Sequence, residues 1–383
     1  MQTAMLIMFW LSWSLFAYHI FGYGLLLFLL NKLIPRRPGK PVTQAEFPKI
    51  TVLCPAYNEE KFIEDKLRSF LELDYPVDQI NMVVISDDST DATNQIVEKY
   101  TDRNISLVIQ KPRAGKQSAH NLVLPMLDCD YVLSTDANSI FDPAAVRHLV
   151  QKMQSDDRLG LVSGELRLLN KDGKSSGEGL YWRYESFLKE MDYRWKSLIG
   201  ANGSLYLIKR ELFGTIDPQS LDDFERTLQV MKQGYLAAYE PQARVSEEET
   251  VKASQEISRK IRIISREWYA MHRNLELLNP IRFPAISFML ISHKLLRWLF
   301  FVFVLTGLIS AAFLTHIWFY RWVFYAQIVV YLLGTLGLIA QSKDKRVPFT
   351  GLPGYFIAML WSSAVAFKNF LVNKHYGMWK PIR

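Results

Sequence analysis

Residues 4–30 contain no charged side chain, and an apolar run of that length exceeds the roughly 20 residues a helix needs to cross the hydrocarbon core of a bilayer. Only Ser12, Ser14 and His19 interrupt it with polar groups. No basic residue precedes the run and no small-residue cleavage site follows it, which argues against a cleaved signal peptide. Residues 1–34 are therefore expected to form a transmembrane helix. Lys32, Arg36, Arg37 and Lys40 come next, and the bias of basic residues toward the cytoplasmic side puts the downstream end there.

The mean hydropathy is near zero although 49% of the residues are hydrophobic, because two different materials are laid end to end. A second apolar region fills residues 285–373. Within it, residues 298–314 and 322–340 read as a membrane hairpin turning near His316, and Lys343, Lys345 and Arg346 mark a return to the cytoplasm. Residues 352–367 are shorter and precede a basic tail, 374–383, so a re-entrant or interfacial helix is expected there as much as a span. Ahead of this region, Ile257, Ile261, Ile264, Trp268, Met271, Leu275 and Leu278 recur at helical spacing, with Arg259, Lys260, Arg262, Arg266 and Arg273 on other faces. The segment 251–280 is expected to be an amphipathic helix at the membrane interface. The net charge of +7 gathers near these membrane flanks without a nucleic-acid motif, which points to lipid surface as the partner, not nucleic acid. Cys54 and Cys129 are too few for a disulfide framework and read as packing residues.

Between positions 48 and 245 the pattern changes to short apolar runs alternating with amphipathic stretches, as expected of one α/β domain with a mainly parallel sheet. Strands are expected at 50–54, 82–85, 107–109, 131–133, 160–168, 204–208 and 236–239. Helices are expected at 61–71, 92–100, 118–127, 180–196 and 224–233, with Pro125 disturbing the end of the third.

Open parallel sheets bind nucleotides just past the carboxyl ends of their strands, and polar clusters stand at three such ends. Pro55-Ala56-Tyr57-Asn58-Glu59-Glu60 follows the first strand, and Tyr57 offers a ring on which a base can stack. Ser86-Asp87-Asp88-Ser89-Thr90-Asp91 follows the second, where a carboxylate can accept a base N–H; the same residue types also cap helices. Ser134-Thr135-Asp136-Ala137-Asn138 follows the fourth. Asp136 and Asn138, two residues apart, can aim oxygen donors at one hard divalent cation. Lys111-Pro112-Arg113-Ala114-Gly115-Lys116 places cations where a diphosphate would lie, although a solvated basic loop would look alike. Leu221-Asp222-Asp223-Phe224-Glu225-Arg226 opens a helix and offers a carboxylate able to deprotonate a hydroxyl, or simply to cap.

Taken together, these motifs resemble the family 2 glycosyltransferases of the GT-A fold, in the membrane-integrated branch that includes polysaccharide synthases. The resemblance implies a Rossmann-like catalytic domain with flanking transmembrane and interfacial helices. It implies that Pro55, Ala56, Tyr57, Glu59 and Asp87 bind the nucleotide, with Lys116 near the diphosphate. Asp136 then matches the first member of the family's Asp-x-Asp metal motif, for Mg2+ or Mn2+, and Asp223 matches the catalytic base. Two positions depart from the pattern. Asn138 stands where the family often has a second aspartate, and Arg259-Lys260-Ile261-Arg262-Ile263 stands where processive synthases carry Gln-x-x-Arg-Trp. The implied reaction is inverting transfer from a nucleoside-diphosphate sugar, taken as a UDP-sugar, to a lipid-linked or glycan acceptor at the membrane. A nucleotidyltransferase would use a similar domain but usually has a Gly-rich first turn, which 55–60 is not; a membrane scaffold that binds nucleotide sugar without turnover is the non-catalytic rival.

Overall fold

The computed structural model describes residues 1–34, 47–169, 180–248, 253–343 and 347–374. The chain divides into two units, one holding Leu30–Glu249 and Tyr269–Ile286, the other Met1–Leu29, Thr250–Trp268 and Ser287–Lys374.

In the first unit the alternation of apolar runs becomes strands β1 Ile50–Ala56, β2 Ile80–Asp87, β3 Ile105–Gln110, β4 Tyr131–Thr135, β5 Ile140–Phe141, β6 Leu159–Leu169, β7 Leu205–Lys209 and β8 Leu236–Glu248. Between them lie helices α1 Ile63–Leu71, α2 Thr93–Glu98, α3 Lys116–Val123, α4 Ala145–Gln154, α5 Leu180–Trp195 and α6 Asp222–Lys232. The strands form one sheet in the order β3-β2-β1-β4-β7-β6-β8-β5. Val52, Leu53 and Cys54 of β1 are fully buried one after another, because a central strand covered on both faces needs apolar side chains on both.

The first four strands are mutually parallel. The sheet is mixed beyond them: β7 runs antiparallel to both β4 and β6, and β5 antiparallel to β8. This reversal matters for the site, since the register Thr135↔Leu205 sets the residues that precede β7 beside those that follow β4.

Strand β5 was not among the expected strands, and three other elements differ from the sequence expectation. Helix α4 was not anticipated, although Ala145, Val146, Leu149, Val150 and Met153 bury one face at helical spacing. The last strand runs on to Glu248, well past 239; Pro241 reads as a stop, but it falls in an exposed stretch beside a register shift against β6, where proline is tolerated. Helix α3 ends at Val123 and tightens into a 3₁₀ turn at Leu124–Met126, the disturbance that Pro125 imposes.

The second unit is built of apolar helices. Gln2–Leu33 and Trp318–Gln341 are each long and apolar enough to cross a membrane. The run expected to span at 298–314 forms the helix Phe300–Phe313, which follows Pro284–Trp298 at a bend of 59°. Within this unit the Ser12 and Thr306 hydroxyls bond at 2.6 Å, and the Trp10 indole donates to Tyr320 at 3.1 Å. The helix Ala253–Arg273 does not keep a solvated basic face along its length: Arg266 is buried. Glu267 accepts from Lys294 at 2.7 Å and from the Trp298 indole at 3.1 Å, and the Trp268 ring stacks on Phe370. The helix stops at Arg273, so Leu275 and Leu278 fall in a following 3₁₀ turn. Arg36, Arg37, Lys40, residues 251–252, Lys345, Arg346 and the tail 375–383 lie outside the described residues.

Candidate active site

The three strand-end clusters converge, and small residues ahead of β7 bring them together. Lys116, the first residue of α3, donates from Nζ to Asp136 Oδ1 at 2.6 Å and to the Gly203 carbonyl at 3.1 Å. Ser204 Oγ lies 3.2 Å from Asp136 Oδ2. A Cβ built on Gly203 would lie 3.0 Å from Asp223 Oδ2. One glycine thus stands between the lysine and the aspartate, and any side chain there would press on the carboxylate. The loop is fastened by the Asn202 N–H to Ser163 at 2.9 Å and the Ala201 N–H to Thr227 at 3.1 Å.

Asp87 ends β2 and is 4% exposed. Its Oδ1 accepts from Gln110 Nε2 at 2.5 Å and from the Ala114 N–H at 2.8 Å, and its Oδ2 accepts from the Gly115 N–H at 2.9 Å. The carboxylate therefore gathers the basic loop and sets the start of α3. Gly115 has φ +93°, a conformation open to glycine at little cost. Arg113 lies 3.6 Å from Asp87 Oδ2, and its guanidinium covers the Tyr57 ring at 3.4 Å in a cation–π contact.

Pro55 and Ala56 close β1, in register with Ile85 and Ser86 of β2. Glu59 is 2% exposed, and its N–H donates to Thr93 at 2.8 Å. Asn58 Oδ1 accepts the Thr90 N–H at 2.8 Å. These bonds brace the first cluster against the second, so much of the two motifs builds the loops themselves. Asn138 is half-buried, two residues beyond Asp136.

Adjacent aspartates at the start of α6 have separate surroundings. Asp222 is buried and accepts from Tyr206 at 2.5 Å, Arg226 Nε at 3.2 Å and His120 Nδ1 at 3.3 Å. Burial opposes its ionisation, but His120, Arg226 and Lys116 outweigh that and hold the carboxyl well below the usual carboxylate range. Asp223 is half-buried and turned toward Gly203. Burial also works against the charge on Lys116, yet Asp136, Asp222 and Asp223 together raise its pKa above that of an ordinary lysine.

Sequence reading did not single out His120, Tyr206, Arg226, Gly203, Ser204, Lys66 or Glu247. Arg226 was findable, since it stands four residues after Asp222 on one helix face. The others depend on tertiary pairing.

Residues 51–216 match the family model described as Glycosyl transferase family 2. Residues 51–216, less than half of the chain, are thus similar to a family 2 glycosyltransferase domain. The "Probable glycosyltransferase YdaM" of Bacillus subtilis (strain 168) is 30% identical over 221 residues, covering 53% of this chain and 51% of that protein. The poly-beta-1,6-N-acetyl-D-glucosamine synthase of Staphylococcus aureus (strain COL) is 35% identical over 128 residues, 33% of this chain and 30% of that one. The chain thus spans about half or less of the length of these curated relatives. Among solved structures, the mannosyltransferase PcManGT from Pyrobaculum calidifontis, in complex with GDP-Man and Mn2+, superposes with a TM-score of 0.71 at 21% identity, over 96% of this chain and 100% of that one. At that identity the likeness speaks for the fold alone.

Proposed function

We propose that the protein is an inverting glycosyltransferase that moves a sugar from a nucleoside-diphosphate sugar, a UDP-sugar in the first instance, to a lipid-linked or growing glycan acceptor at a membrane. The observation that carries this is the Lys116 ammonium held between Asp136 and the Gly203 carbonyl, with Asp223 against the same glycine. A cationic group for the diphosphate and a carboxylate for the acceptor hydroxyl then face one small space.

In this reading Asp87 holds the 111–116 loop so that Lys116 meets the diphosphate. Tyr57, together with Pro55, Ala56 and Glu59, forms the wall for the nucleoside. Asp223 takes the acceptor proton as the hydroxyl attacks the anomeric carbon, while Asp222 stays tied to Arg226 and fixes the first turn of α6. The residues around Asp136 suit a hard divalent cation. Its carboxylate is partly exposed, Asn138 adds an amide oxygen, and an ammonium already sits on Asp136 as positive charge would. Asp136 and Asn138 would hold Mg2+ or Mn2+, and such a cation, when bound, offsets the charge of the departing diphosphate.

The two long apolar helices support an integral membrane protein with the catalytic domain on the cytoplasmic side. That side is where the basic flanks belong, and basic segments there meet anionic lipid. The test is incubation of membranes carrying the protein with a panel of labelled UDP- and GDP-sugars and separation of lipid from aqueous products. Label in the lipid phase, with release of nucleoside diphosphate, is expected. Release of pyrophosphate would establish nucleotidyl transfer instead, and binding without donor consumption would establish a scaffold.

A further inference from the structure

The end of β8 alternates strictly, with Ala243, Val245 and Glu247 buried and Arg244, Ser246 and Glu248 turned outward to different degrees. Glu247 thus puts a carboxylate at a position where the sheet's two-residue period calls for an apolar side chain. Such burial is unfavourable unless hydrogen bonds replace the lost water. They do: Glu247 Oε1 accepts from Ser139 Oγ at 2.5 Å and from Ser204 Oγ at 2.7 Å. Both serines border the turn that carries Asp136 and Asn138. The Ser139 N–H donates to the Asp136 carbonyl at 3.2 Å, and Ser204 Oγ is also 3.2 Å from Asp136 Oδ2. Buried Lys66 meets the same turn, donating to Thr135 Oγ1 at 2.7 Å and to the Ser139 carbonyl at 2.5 Å, and lies close enough to Asp136 and Glu247 to feel both charges.

One hydroxyl has one proton to give. The nearer acceptor is Glu247 at 2.7 Å, against 3.2 Å for Asp136 Oδ2, so the Glu247 carboxylate stands one hydroxyl away from Asp136 and adds its negative charge there. Asn138, by contrast, contributes no charge to the same turn. We propose that Glu247 is a positioning residue that supplies, through Ser204, the negative charge that Asn138 omits, orienting Asp136 and strengthening its hold on a divalent cation. This rests on the reading of Asp136 as a cation-holding residue, and it gives a reason for a buried acid more than a hundred residues away in sequence.

The test is Mn2+ binding to the full-length protein in detergent, in the presence of UDP or GDP, followed by electron paramagnetic resonance of the free ion. Glu247→Gln keeps an oxygen to accept both serine bonds and removes only the charge. It should raise the Mn2+ dissociation constant about 10- to 100-fold, the range found when groups behind a metal ligand are changed. Adding Asn138→Asp to that variant should restore most of the affinity. Ser204→Ala should weaken binding as much as Glu247→Gln, with no further loss when the two are combined. Wild-type affinity in Glu247→Gln would overturn the inference while leaving Asp136 in place. A loss that Asn138→Asp does not repair would reduce Glu247 to a packing role and overturn it too. A wild-type protein that binds no Mn2+ with either nucleotide would overturn the reading of Asp136 itself, and this inference with it.

Discussion

Replacing Asp87 by Asn separates two roles for this carboxylate, contact with a base and construction of the basic loop. In the structure both oxygens are engaged, Oδ1 by Gln110 and the Ala114 N–H, Oδ2 by the Gly115 N–H. An asparagine has one acceptor oxygen. If it keeps the Oδ1 partners, its NH2 group faces the Gly115 N–H, donor against donor. One hydrogen bond to a charged group disappears, worth about 1.5–3 kcal/mol, and a nearly buried N–H is left unsatisfied at a further 1–3 kcal/mol or so. A local loss of about 3 kcal/mol corresponds to roughly a hundredfold rise in loop opening, since each 1.4 kcal/mol is a factor of ten. Hydrogen exchange at the amides of 113–116 should accelerate by about that factor in Asp87→Asn, and the donor KM should rise because Lys116 loses its fixed start. Mass spectrometry of exchange in detergent, alongside nucleotide titration, measures both. If the amides exchange at the wild-type rate while nucleotide affinity falls, Asp87 acts on the nucleotide directly and the loop-building account is wrong.

Asp223→Asn should cut turnover by about 10²–10⁴ with nucleotide affinity little changed, and wild-type turnover would remove it as the base. Gly203→Ala puts a methyl 3.0 Å from Asp223 Oδ2; a shift of a few tenths of an ångström should lower kcat about tenfold without moving the donor KM or the Tm, whereas an unchanged kcat would place the reacting atoms elsewhere. Asp222→Ala strands buried Arg226 and should cost about 3–5 kcal/mol, read as a fall in Tm; equal stability would mean that the pair is not structural. Burial pulls Lys66 down to about 7, below the 10.4 or so of an exposed lysine. The unfolded chain then binds a proton that the native chain lacks between those values, so stability should rise as pH climbs from about 7 to 10, by at most about 1.4 kcal/mol per unit. Lys66→Met should abolish that slope in unfolding experiments, and a slope that persists would assign it to other groups.

The fold class is legible because β1, β2, β3 and β4 are short apolar runs ended by polar turns, a pattern that survives in sequence without knowledge of their partners. Helix α4 carries an equally clear period but follows β5, whose two residues are too few to show any. The site divides along the same line. Asp87, Asp136 and Asp223 stand out, because each follows a strand or opens a helix. Gly203 and Ser204 do not, because what they contribute is closeness. Their place beside Asp136 comes from the antiparallel register of β7 on β4, which no local pattern announces. Glu247 is hidden twice, behind Pro241 and at a strand position where an acid looks misplaced.

The adjacent aspartates of α6 show how far local geometry decides chemistry. Successive residues of a helix point about 100° apart, so two carboxylates at the start of one helix cannot share an environment. Asp222 turns into the domain, where Tyr206, Arg226 and His120 occupy its oxygens; a carboxylate so bound is a poor proton acceptor. Asp223 turns toward Gly203, which has no side chain, and its Oδ1 accepts the Phe224 N–H at 2.8 Å. The same helix start that anchors one acid therefore presents the other, and moving the helix by a single residue in register would put only one of the two in the other's place.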